Sequence, residues 1–66
     1  MKRAGWLRVA EREALEAIAD LHLEYDEDPT DRVPEVRGAY MREDFFTLMD
    51  LRDEYTERLK ERRAGL

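Results

Sequence analysis

Cysteine and serine are absent from this 66-residue chain, histidine occurs once, as His22, and only two prolines and three glycines interrupt it. Each shortage closes off a way of working. Without cysteine there is neither a disulfide framework nor a thiol nucleophile, and one histidine cannot build a zinc cluster. Thr30, Thr47 and Thr56 supply the only aliphatic hydroxyls, a poor stock for nucleophilic catalysis. His22 could face Glu11, Asp44 or Tyr55 across a helix interface, but no motif stands behind such a dyad. A core-edge histidine bonded to a carboxylate is the plainer expectation. Carboxylate pairs such as Glu13 and Glu16 carry no information in a chain with 17 acids, and no glycine-rich phosphate loop is present. The expectation is a protein that is not an enzyme and uses no cofactor.

A metal site fails on the same kind of inspection. DEDPTD places Asp26, Asp28 and Thr30 at alternating positions, as the start of an EF-hand loop does. Asp31 then stands where that turn needs glycine, and Arg37 where it needs a bidentate glutamate. Asp26, Glu27 and Asp28 are left with incidental cation binding, and no metal is expected.

Long apolar runs are missing too. Phe45-Phe46, followed after Thr47 by Leu48-Met49, falls far short of the roughly 20 residues that a membrane-spanning helix needs. No apolar stretch of signal-peptide length follows Lys2 and Arg3, so the expected location is cytoplasmic, with no membrane partner. A chain this short forms one domain and removes only about 60% of its unfolded surface from water. Small scaffolds compensate with disulfides, metals, good helix packing or oligomerisation. Only the last two remain here.

What is abundant is charge: 44% of the residues, with a net charge of −5, a balance that favours solubility and does not point to free nucleic acid. Both prolines lie in DEDPTDRVPEVRG, which divides two helix-friendly arms. Residues before proline avoid helical angles, so Asp28 and Val33 are expected to be extended. A short helical turn begun by Thr30 or Asp31 fits inside this connection. The reading is an all-α, two-helix antiparallel hairpin forming a single domain over residues 1–66. Its first helix runs over about 7–26, its loop over about 27–35 and its second helix over about 36–64.

In the first arm a face centred on Ile18 collects Leu7, Ala14, Leu15, Leu21, His22 and Tyr25, at about 100° per residue. Trp6 and Val9 are out of phase, so residues 5–9 are expected to be extended or loosely helical. In the second arm a stripe centred on Leu48 takes in Met41, Phe45, Leu51, Tyr55 and Leu59, with Gly65 ending the helix near Ala64. The expected core is thus Leu7, Ala14, Leu15, Ile18, Leu21, Tyr25, Met41, Phe45, Leu48, Leu51, Tyr55 and Leu59.

Phe46 and Met49 fall outside that stripe, which makes the middle of the second helix apolar nearly all round. A two-helix hairpin can bury one side of it, and burying a large apolar side chain stabilises by about 1.5–3 kcal/mol. An interface is therefore expected at Phe46, Met49, Trp6 and Tyr40. Trp6 joins it as the only tryptophan, out of phase with the core, since large aromatics supply most binding hot spots; a lid over the core is the other role open to it. Charge is segregated as well. Residues 1–12 carry Lys2, Arg3, Arg8 and Arg12 against Glu11, residues 13–31 carry eight acids and no base, and Arg58 to Arg63 is basic apart from Glu61. An antiparallel hairpin would then have a positive and a negative end. Two copies would pair head to tail in a four-helix bundle, with helix 2 at the centre.

The stretch LRVAEREALEAIADLHLEYDEDPT shares the cadence of the first helix of a winged helix-turn-helix repressor. In that fold the next helix is polar and basic, whereas here it carries Glu43, Asp44, Asp50 and Asp53 beside Phe45 and Phe46. No specific nucleic acid is expected. The reading is a small non-catalytic protein–protein interaction module, pairing with itself as a homodimer and docking an unidentified protein. The alternative is an acidic inhibitor or nucleic-acid mimic that presents residues 13–31 to a basic site on another protein.

Overall fold

The structure is a computed structural model that describes residues 5–65. All regular structure among these residues is helical: α1 spans Gly5–Tyr25, α2 Val33–Met41 and α3 Phe45–Arg63, with a 3-10 turn at Thr30–Arg32 before α2. Two expectations are corrected here. The second arm is two helices rather than one, and the chain is a three-helix unit rather than a two-helix hairpin.

The break lies at Arg42 to Asp44. Glu43 takes a left-handed conformation, φ 55°. Its N–H donates to the Tyr40 carbonyl, and the Asp44 N–H donates to the Ala39 carbonyl. Together these bonds form a Schellman closure, which satisfies carbonyls that the end of α2 would otherwise leave free. Asp44 then caps α3 by accepting from the Thr47 N–H at 3.3 Å. That hydrogen bond holds the Asp44 carboxyl below its ordinary pKa. One helix is thus terminated and the next started within three residues.

The direction of the helices follows from their side-chain contacts. Trp6 meets Phe45 near the starts of α1 and α3, Glu13 meets Arg52 midway, and Glu24 meets Arg63 near their ends. In each pair the partners are 39 residues apart, so α1 and α3 run parallel in constant register. Residues 26–44 return the chain between them. On α1 the seam positions Trp6, Glu13 and Asp20 recur every seven residues, the spacing of helices packed nearly parallel. The expected antiparallel arrangement is therefore overturned.

One core joins the three helices. Leu7, Ala10, Ala14, Ala17, Ile18 and Leu21 of α1 are buried with Val36 and Ala39 of α2 and with Leu48, Leu51, Tyr55 and Leu59 of α3. Alanine is the best helix former, and three buried alanines give α1 a slim contact stripe. Burial pushes the Tyr55 hydroxyl above its ordinary pKa, and the neighbouring Glu54 charge adds to this.

Against the expected core, Leu15 and Tyr25 are half-buried at its margin, while Met41 is 63% and Phe45 40% exposed. The Arg42 to Asp44 turn resets the helical phase, so a stripe extrapolated back from Leu48 does not reach Met41; Phe45 lies on Leu48's side of the turn but is the first residue of α3, at the end of the core. Val33 is helical, φ −56°, where extended backbone was expected. The preceding 3-10 turn already supplies helical direction, and Pro34 occupies the first turn of α2, where no amide donor is needed. Residues 5–9 are helical as well, held by Leu7 and Ala10 in the core and by Trp6 against Phe45. No helix among the described residues is long and apolar enough to cross a membrane.

Candidate docking surface

The parallel arrangement sets the starts of α1 and α3 side by side, and there the apolar surface is left open. The Trp6 and Phe45 rings stand edge to face with centroids 4.6 Å apart, and Phe46 tilts against Phe45 at 5.1 Å. Edge-to-face pairs are favourable because the electron-poor rim of one ring meets the electron-rich face of the other. These contacts fix the rings without hiding them. Trp6 is 49% exposed and Phe46 77%. Val9, one turn beyond Trp6 on α1, is also exposed.

The four expected interface residues thus divide. Trp6 and Phe46 belong to this aromatic edge and are bridged by Phe45, which was expected in the core. Met49 and Tyr40 are half-buried against the chain's own core. The middle of α3 is apolar nearly all round because α2 as well as α1 packs on it, a neighbour that a two-helix reading does not supply. Phase alone could not have moved Phe45 outward; the missing signal was the helix break beside it.

At the other end of the α1–α3 pair the surface is ionic. Arg63 holds Glu24 at 2.7 Å and Asp20 at 3.1 Å, and Arg62 and Arg58 both approach Glu27. The Arg63 hydrogen bond holds the Glu24 carboxyl below its ordinary pKa, and Glu24 in turn raises Arg63. Arg62 also lies over the Tyr25 ring at 5.6 Å, and Arg58 over Tyr55 at 5.1 Å, distances at which a ring face attracts a cation. The proposed segregation of the rod into a positive and a negative end is thereby corrected. The basic end of α3 neutralises the acidic end of α1 within the chain. Lys2 and Arg3 lie outside the described residues.

His22 is exposed, and its Nδ1 pairs with the Glu27 carbonyl oxygen at 2.9 Å rather than with a carboxylate, donating in the tautomer that carries hydrogen there. The Thr30 hydroxyl donates to Asp28, whose carboxyl is held below its ordinary pKa by that bond. An open polar cleft beside them is lined by Glu27, Asp28, Asp31, Arg32, Glu54 and Arg58. Its bases are engaged locally, Arg32 with Glu35 at 2.9 Å and Arg58 with Glu54 at 3.6 Å. Among the described residues no group of three or more His, Asp or Glu is placed to hold a metal ion.

Compared with known protein families, curated proteins and solved structures, the chain matches none.

Proposed function

We propose that this chain is a non-catalytic protein–protein interaction module that associates through the aromatic edge formed by Trp6, Phe45 and Phe46, beginning with a second copy of itself. The observation that carries the reading is Phe46, an aromatic side chain 77% exposed at the end of a well-packed core and continuous with two further exposed rings. Single exposed apolar residues are ordinary, whereas contiguous aromatic patches mark interaction sites. With three helices in each chain, a dimer holds six helices rather than four.

The acidic-decoy reading is less well supported. It needs the carboxylates of residues 13–31 to be free, yet Glu13, Asp20, Glu24 and Glu27 all face arginines of α3. Equilibrium sedimentation tests the preferred reading. The wild-type chain is expected to dimerise at micromolar concentration, and Phe46→Glu to weaken that dimer by about tenfold or more while helicity is retained. A wild type that stays monomeric at 100-fold higher loading would refute self-association.

A further inference from the structure

The parallel α1–α3 pair has two faces, and α2 closes one of them by burying Val36 and Ala39 into the shared core. The other face carries the seam in the open, because the ion pairs along it involve side chains that stay partly exposed. At one end of this face lie Trp6, Phe45 and Phe46. Along the rest, α1 is acidic on balance and α3 basic on balance. The α1 half carries the acids Glu13, Glu16, Asp20 and Glu24, of which Glu16 is shared with Arg12. The α3 half carries the bases Arg52, Lys60 and Arg63 and two acids, Asp53, which is held by Arg52, and Glu57, eleven residues along the stripe from Phe46. Lys60 forms no ion pair among the described residues.

Such a face is complementary to itself in one orientation. We propose that a second copy of this chain covers it about a two-fold axis running along the helices, so that α1 of each copy lies over α3 of the other and both copies point the same way. This rests on the aromatic edge being the docking surface, and adds to it the direction and extent of the contact. In an isologous pair every contact occurs twice. With the copies parallel, the aromatic ends coincide, the acids of α1 meet the bases of α3 twice over, and Lys60 gains acidic neighbours. With the copies antiparallel and the same face buried, α1 lies on α1 and α3 on α3, setting acids against acids and bases against bases. Like-charge juxtaposition is the stronger discriminator between arrangements, while the aromatic rings supply the attraction. This direction is opposite to the head-to-tail pairing expected from the sequence, because α1 and α3 run parallel, so acids and bases lie side by side along the face rather than at opposite ends of a rod.

The absence of cysteine makes the test direct. A spin label on Ala64→Cys, an exposed position at the far end from the aromatic edge, reports the separation of the two C-terminal ends by pulsed electron resonance. Parallel copies are expected to place the labels within about 20 Å, the diagonal of four helices packed about 10 Å apart. Antiparallel copies burying the same face would hold them about 30 Å apart, at about 1.5 Å per residue from the middle of α3 to Ala64 in each copy, and copies joined end to end at their aromatic ends on the order of 50 Å. A distance beyond about 25 Å in a dimer that Phe46→Glu still dissociates overturns the parallel arrangement and leaves the interaction module standing. A labelled chain that sediments as a monomer overturns both. A dimer indifferent to Phe46→Glu removes the aromatic edge from the contact and with it this orientation.

Discussion

The two ends of the α1–α3 pair are built from the same two helices, yet they solve the problem of their surfaces in opposite ways. Where α1 and α3 end, charge meets opposite charge inside one chain, and Arg63, Arg62 and Arg58 neutralise Glu24, Asp20 and Glu27. Where they begin, three aromatic rings touch one another and leave much of their area in water. The charged end is complete in the monomer and the aromatic end is not. A docking surface in so small a protein is therefore better sought where the chain fails to satisfy itself than where its charges are densest.

The comparison is sharpened first at the core, which should be equally firm under both ends. Leu48 lies toward the aromatic end and Leu21 toward the charged end, and both are fully buried. Leu48→Ala and Leu21→Ala are each expected to cost about 2–5 kcal/mol in urea unfolding. A core continuous along its length makes the two costs similar; a gap larger than about 2 kcal/mol would mean that one end is held independently.

A smaller effect separates the two helix closures. Asp26 ends α1 at φ 57° and Glu43 ends α2 at φ 55°. Left-handed backbone is costly for residues with a side chain, least so for Asp and Asn. Glu43→Gly is expected to raise stability by about 0.5–1 kcal/mol and Asp26→Gly by less, as paired thermal melts would register. Equal gains, or a loss at Glu43, would place the value of that residue in its side chain rather than its backbone.

The smallest effect belongs to the ion pairs. The folded-state pKa of Glu24 is depressed, so its contribution is present above its unfolded value and lost as pH falls through the lower folded one, in acid below about pH 4. Arg63→Ala is expected to lower the melting temperature at neutral pH by no more than a few degrees and to flatten the acid limb of the stability profile. The wild type in 1 M salt should lose a similar amount. An unchanged acid limb in the variant would assign that limb to Asp44 and Asp28, whose carboxyls are also held low.

Sequence periodicity was a sound guide to α1, where Leu7, Ala14, Ile18 and Leu21 fall on one buried stripe. The buried stripe is centred to one side of Ile18, because Ala10 and Ala17, weakly apolar and so faint in the pattern, also enter the core. The break between α2 and α3 was illegible for a definite reason. Neither glycine nor proline marks it, Glu43 adopts the left-handed conformation that glycine usually takes, and Met41 and Phe45, four residues apart, imitate one continuous helix. Asp44 was the available signal, an N-cap residue three positions before Thr47. This break decides the topology. With two helices the chain must be antiparallel, whereas a third lets α1 and α3 run together and brings the acidic and basic segments into contact. Trp6 and Phe46 could be singled out because each is out of phase with its helix, while Phe45 could not.

The constant offset between α1 and α3 has a consequence for how this molecule can change. A residue added after Asp28, beyond the Glu27 partners of Arg58 and Arg62, lengthens a segment outside the helices and leaves the seam pairs from Trp6 to Glu24 on their original sides. The same addition near Ala17 would turn the remainder of α1 by about 100°, carrying Leu21 toward water and Glu24 away from Arg63. Added length is thus absorbed at one point of the connection and refused by the rods it joins.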